Sequence, residues 1–124
     1  MEQTKLIIER QANGAAIEIA NLHFFVKLDY KNIAKLADTR KLDAKVDKLA
    51  CESFKCLDAD GEIKPEYSKE YTRIEKKAAK LIVEHTLGKG AFHKLYAKFP
   101  NIDHITSIMD KVNDQLANYL KVGV

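Results

Sequence analysis

The sequence predicts an α+β fold: a small N-terminal β-hairpin or meander followed by a mainly α-helical bundle of about four helices. Three observations predict it. Apolar residues recur at period two before Asp29 and at three- and four-residue spacing after it. Glycine, proline and asparagine punctuate the gaps between those runs. A length of 124 residues allows one modest core and no more. Residues 1–29 and 30–124 are therefore expected to be the β-rich and helical parts of a single domain.

In the β-rich part, Lys5-Leu6-Ile7-Ile8-Glu9 is a short apolar run with β-branched residues. A helical start over residues 2–12 fits the same run, because short apolar stretches do not separate the two states. Asn13-Gly14 is a strong turn signal, since both residues tolerate positive φ. Ile17-Glu18-Ile19 alternates, Ala20-Asn21 punctuates, and Leu22, Phe24, Val26 and Leu28 recur at period two. Phe25 breaks that alternation. Its strand is covered on both faces or leaves one aromatic outside.

The helical part opens at Asp29, a capping residue for a short helix with Ile33, Leu36 and Ala37 on one side. The next helix is predicted over about Thr39–Leu57, with Leu42, Val46, Leu49, Ala50, Ser53, Phe54 and Leu57 on its stripe. Asp58-Ala59-Asp60-Gly61 ends it, and Pro65 suits the start of another. That helix carries Tyr67, Tyr71, Ile74, Ala78, Leu81, Ile82 and His85 on one stripe until Gly88-Lys89-Gly90 stops it. A short helical turn holds Phe92, Leu95 and Tyr96, and Pro100-Asn101 breaks again. The last helix lines up Ile102, Ile105, Ile108, Met109, Val112, Leu116, Tyr119 and Leu120. Stripes of this period pack on a common core, which makes a two-layer α+β domain.

Composition removes several function classes. A formal net charge of +3 is too weak to argue for a nucleic-acid or anionic-membrane partner. No run approaches the roughly 18 apolar residues that mark a bilayer span. Met1–Leu6 lacks the basic and apolar regions of a signal peptide, so a soluble, cytoplasmic protein is expected. Cys51 and Cys56 fit a reducing compartment and read as buried or semi-buried free thiols.

The chemical motifs fail on spacing. Asp58-Ala59-Asp60-Gly61-Glu62 resembles a calcium loop, but glycine falls at position four and Lys69 stands at position twelve, where a bidentate glutamate is needed. It reads as a polar turn. Cys51, Cys56, His23, His85, His93 and His104 form no CxxC or HxxxH pair of the kind that fixes two zinc bonds from one turn. His85, on an apolar stripe, reads as a hydrogen-bonded half-core residue. Neither cysteine sits in a strand-turn-helix elbow that would activate a thiolate against a histidine. Gly88-Lys89-Gly90 follows a helix and continues Ala91-Phe92, so it lacks the strand and the Lys-Ser or Lys-Thr of a phosphate loop. The cations between Lys64 and Lys80 interleave with Glu62, Glu66, Glu70 and Glu75, which reads as a solvated helix face. No catalytic residue, metal site or cofactor is expected. What remains is aromatic surface: Tyr67, Tyr71, Tyr96, Phe92, Phe99 and Tyr119 are many for half a small domain, and any excess outside the core favours partner binding.

One stretch goes beyond pattern. Thr86-Leu87-Gly88-Lys89-Gly90-Ala91-Phe92-His93-Lys94-Leu95-Tyr96 through Phe99-Pro100-Asn101, followed by a closing amphipathic helix, resembles the C-terminal part of tail assembly chaperones of long-tailed (siphovirus-type) phages and prophages of Gram-positive bacteria. Those proteins often carry a GxGxxxKxF-type segment, and Tyr96 stands near its usual aromatic or apolar position. Residues 17–30 resemble the small hairpin that opens many of them, with Asn21-Leu22 where Asn-Gly is common. The resemblance spans about residues 15–121.

The resemblance implies a binding protein with no catalysis of its own. Such a chaperone holds the tape-measure protein in solution, helps to recruit tail-tube subunits in the host cytoplasm, and is absent from the finished virion. An apolar helical client is met by an amphipathic helix or groove. On that basis the partner-facing candidates are Phe92 and Tyr96, the last-helix residues Ile105, Ile108, Met109, Val112 and Leu116, and Phe25 and Tyr119 for self-association. The alternatives are a small protein-binding inhibitor or immunity protein, phage-encoded or bacterial, and a nucleic-acid-binding regulator.

Overall fold

The computed structural model describes residues 4–122, the last three by backbone alone. Met1–Gln3 and the Leu120 side chain, both read above, lie outside the described part. Strands β1 (Leu6–Gln11), β2 (Gly14–Ile19) and β3 (Leu22–Lys27) form an antiparallel meander in the order β1-β2-β3. The helical alternative for the N-terminal run does not occur among the described residues. Helices α1 (Tyr30–Ala37), α2 (Arg40–Phe54), α3 (Ser68–Leu87), α4 (Ala91–Lys98) and α5 (Ile102–Val122) follow, with a 3₁₀ turn at Pro65–Tyr67 ahead of α3. The expected α+β fold, meander then helical bundle, is the one observed. Among the described residues no helix is long and apolar enough to cross a membrane.

Strand register sorts the side chains. Ile8, Ile17 and Phe24 stand in one row across the sheet, and Ala15 and Val26 pair in the next. These point inward: Ala15, Ile17, Ile19 and Val26 are buried. Ile7, Glu18 and His23 form the row on the opposite face, where Phe25 also lies, 46% exposed. Phe25 breaks the apolar alternation because its face has no layer over it.

The turns differ from the sequence reading. Ala20 and Asn21 take the positive φ values, 46° and 74°, and the Lys98 ammonium donates to the Ala20 carbonyl. Ala12 and Asn13 close the first hairpin, and Gly14 already belongs to β2. Glycine is needed there for space instead. A Cβ would run into the Val26 carbonyl oxygen and sit 3.0 Å from Lys27 Cα.

Capping places the helices. The Asp29 carboxylate accepts from the Asn32 N–H at 2.8 Å and starts α1. α2 ends three residues earlier than Leu57, because Lys55, Cys56 and Leu57 turn on short i→i−3 bonds. Gly88 (φ 95°) and Gly90 (φ 88°) reverse the chain between α3 and α4, and Glu84 reaches over to accept from the Gly90 N–H at 3.0 Å.

The helices serve two apolar clusters. The larger joins the inner sheet face to Val83, Ala91, Leu95, Ile105, Met109 and Val112. Thr86, buried, donates to Asn113 Oδ1 at 2.9 Å and ties α3 to α5. The smaller gathers Leu49, Cys56 and Ile74, with Tyr71, Ala78 and Leu81 against it. It lies between α2 and the N-terminal half of α3. α2 is thus an arm laid along a helix whose other half is rooted in the main core.

Candidate functional site

A cleft of about 670 Å³ opens between β3, α1 and the end of α3. Its walls include Phe25, Val26 and Lys27 from the strand, Lys31 and Lys35 from α1, and His85 and Leu87 from α3. Local capping fixes this geometry. Asp29 turns the chain from β3 straight into α1, and Asn32 Nδ2 donates back to the Lys27 carbonyl at 2.5 Å. His85 Nε2 lies 3.4 Å from the Leu36 carbonyl and pins the far end of α1 to α3. His85 is thus the half-buried, hydrogen-bonded residue that its stripe predicts.

Backbone register makes one wall of the cleft a sheet edge. The Leu28 N–H donates to the Asn13 carbonyl at 3.1 Å. In an antiparallel ladder the paired residues alternate, so Val26 and Phe24 also face β2. His23, Phe25 and Lys27 direct their peptide groups outward.

A second cleft of about 450 Å³ adjoins the first at His85 and lies between α2 and α3. Lys41, Lys45, Lys77 and Lys80 line it with Leu42, Leu81 and Glu84. The two clefts form one lysine-rich surface around His85. At its margin the Arg40 guanidinium, 3.0 Å from Asp38, holds the Asp38 carboxyl below the usual carboxylate range. Both groups are exposed, and pairs of that kind add little to stability.

The expected partner-facing residues are scattered. Ile105, Ile108, Met109, Val112 and Leu116 are 5% exposed or less and fill the main core. As folded they offer no surface, because the inner sheet face packs on them. Phe92 and Tyr96 do come together, stacked at 5.5 Å between ring centroids, with the Lys76 ammonium 4.5 Å from the Tyr96 centroid. Both rings are half-buried against the core. Tyr119 is also half-buried, and its O–H donates to the Ile8 carbonyl at 3.1 Å. Phe25 stands apart on the exposed sheet face and the cleft rim.

Other exposed side chains lie outside that set. Phe54, placed on the α2 stripe, is 69% exposed because α2 unwinds beside it. Ile63 and Tyr67, in the segment that leads from α2 into α3, are also exposed. Tyr30 is 96% exposed, at the start of α1. Cys51 is exposed and Cys56 buried, so only one thiol fits the expected burial. The signal for Phe54 was its place at the last turn of α2, past the reach of Leu49.

The acidic loop closes on itself. Asp58 Oδ1 accepts from the N–H groups of Asp60 and Glu62 at 2.9 and 3.0 Å. Among the described residues, no three His, Cys, Asp or Glu side chains stand together as metal ligands. No family model, curated protein or solved structure matches this chain.

Proposed function

We propose that this chain is a protein-binding module that works as a phage tail assembly chaperone. It holds the tape-measure protein before the tube forms, and helps recruit tail-tube subunits in the host cytoplasm. The carrying observation is the set of large apolar side chains left outside a well-filled core: Tyr30, Phe54, Phe25, Ile63 and Tyr67. Exposed aromatics of this kind are enriched where proteins meet partners. The identity of the client rests on the resemblance of residues 86–101 to the tail chaperones.

Because α5 turns its apolar face to the sheet, client contact falls to the arm. Phe54, Ile63 and Tyr67 all lie between the end of α2 and the start of α3. An apolar stripe of a helical client is complementary to such a group, and weak contacts repeated along a long client add by avidity. The test is co-expression with tagged fragments of the tape-measure protein encoded beside this chain. Fragments are expected to co-purify with the wild type, and about thirtyfold less with the double variant Phe54→Ser, Ile63→Ser, if each truncation removes about 1 kcal/mol of contact. Failure of every fragment to co-purify with the wild-type chain would overturn the reading.

A further inference from the structure

We propose that the open edge of β3 captures an extended acidic segment of a partner protein, which lies in the large cleft as a fourth strand of the sheet. The proposal rests on the reading of this chain as a binding module, but not on the tape-measure protein as its client.

The two sheet edges are treated differently. On β1 the outward carbonyl of Ile8 already accepts from Tyr119 of α5. On β3 the outward carbonyl of Lys27 is taken by Asn32, and among the described residues the outward peptide groups of His23 and Phe25 have no backbone partner. That run of N–H and C=O groups is what an added strand pairs with. Asn32 marks where the usable edge stops.

Charge decides the class of strand. Lys27, Lys31 and Lys35 line the cleft. The carboxylate among its lining residues, Asp29, is committed to the Asn32 N–H. A lysine on an edge strand commonly serves to keep other strands away. That role accounts for Lys27 but not for two more lysines on the facing helix. Lys31 and Lys35 are one helical turn apart, a rise of about 6 Å. Alternate residues of a strand recur at about 6.6 Å. Carboxylates on every second residue of an extended segment therefore match both ammonium groups, while the exposed Phe25 ring on the cleft rim offers apolar contact beside them.

The experiment titrates the full chain into labelled peptides and reads fluorescence anisotropy. The first peptide alternates glutamate and valine. The second alternates lysine and valine. The third is the first with its edge-facing amide nitrogens methylated. The glutamate peptide is expected to bind saturably. The lysine peptide is expected to bind at least about tenfold more weakly. So is the methylated one, because about two backbone hydrogen bonds are lost. The variant K31E/K35E, with both changes on the exposed face of α1, should lose about tenfold for the glutamate peptide with unchanged circular dichroism.

Equal binding of the methylated peptide would overturn the added strand. Absence of saturable binding by the glutamate peptide would overturn the site while leaving co-purification with tape-measure fragments untouched. Displacement of the peptide by a lower concentration of single-stranded oligonucleotide would reassign the lysines to phosphate and overturn the proposal.

Discussion

The main core and the arm are built from the same helix with opposite economies of contact. Among the described residues, the main core encloses twelve buried ones from the sheet, α3, α4 and α5. The arm encloses three, Leu49, Cys56 and Ile74. Every element of the main core is held on more than one side. Among the described residues α2 packs chiefly on α3. Regions with few buried apolar contacts open at lower free energy than the whole molecule. The difference teaches that α3 is the hinge of the design. Its C-terminal half is fixed by Val83 and by the Thr86–Asn113 bond, so its hold on the main core does not pass through α2. The exposed Phe54, Ile63 and Tyr67 sit on the arm side, which has fewer buried residues behind it.

The hardest blow to this picture is struck in the main core. Met109 is fully buried between the sheet and the helices. Met109→Ala should cost about 3–5 kcal/mol, the lost transfer energy plus an unfilled cavity. Chemical denaturation should show the whole chain weakened, with amide protection falling in α2 as well as in α5. The arm would then be shown to depend on the core. Protection retained in α2 while α5 loses it would break the comparison.

The reverse change should stay local. Leu49→Ala removes the α2 side of the small cluster and should cost about 2 kcal/mol, the low end for such truncations. The buried Cys56 thiol reports on that cluster, once the exposed Cys51 is replaced by serine. Its labelling by a thiol reagent should quicken about thirtyfold, since about 1.4 kcal/mol is a factor of ten. Amide protection in α5 should not move. An equal loss in α5 would mean a single cooperative unit with no separate arm.

Much of the fold was legible in the sequence, though the helices were expected on one common core and serve two clusters, and the illegible parts have physical reasons. The meander could be read because Ile17, Ile19, Phe24 and Val26 alternate, and period two fixes which face is buried. The helix stops could be read because Gly88 and Gly90 adopt the positive φ that glycine tolerates. Gly14 was read for the wrong property. Its neighbour Asn13 suggests a conformational need, but the need is clearance from Val26, which lies on a different strand and twelve residues away. The stripe of α5 was read correctly as a stripe. Whether a stripe meets a client or the chain's own sheet depends on the tertiary partner, and period alone does not name it. The lysine-lined cleft was invisible for the same reason. Lys27, Lys31 and Lys35 look like ordinary solvated cations until Asp29 turns α1 to face the strand that precedes it.

The smallest effect is the one that probes how dry the arm is. Tyr71 packs against Leu49, Cys56 and Ile74, and burial pushes its hydroxyl above the ordinary tyrosine value of 10.0, with Glu75 and Asp103 adding to the rise. The raised value means that the folded arm disfavours phenolate. An open arm loses that proton first. The stability that Tyr71 contributes is therefore complete below pH 10.0 and is lost as pH rises through the folded value. In the Cys51→Ser background, Cys56 labelling should be compared with that of Tyr71→Phe between about pH 9 and 11. The two proteins differ by the Tyr71 hydroxyl alone, so their rate ratio reports on that group, its coupling to Cys56 included. The ratio should stay level to about pH 10 and then climb for the tyrosine-bearing chain. A ratio level throughout would place the hydroxyl in water, and the apolar seam of the arm would then stop at Ile74 without enclosing Tyr71.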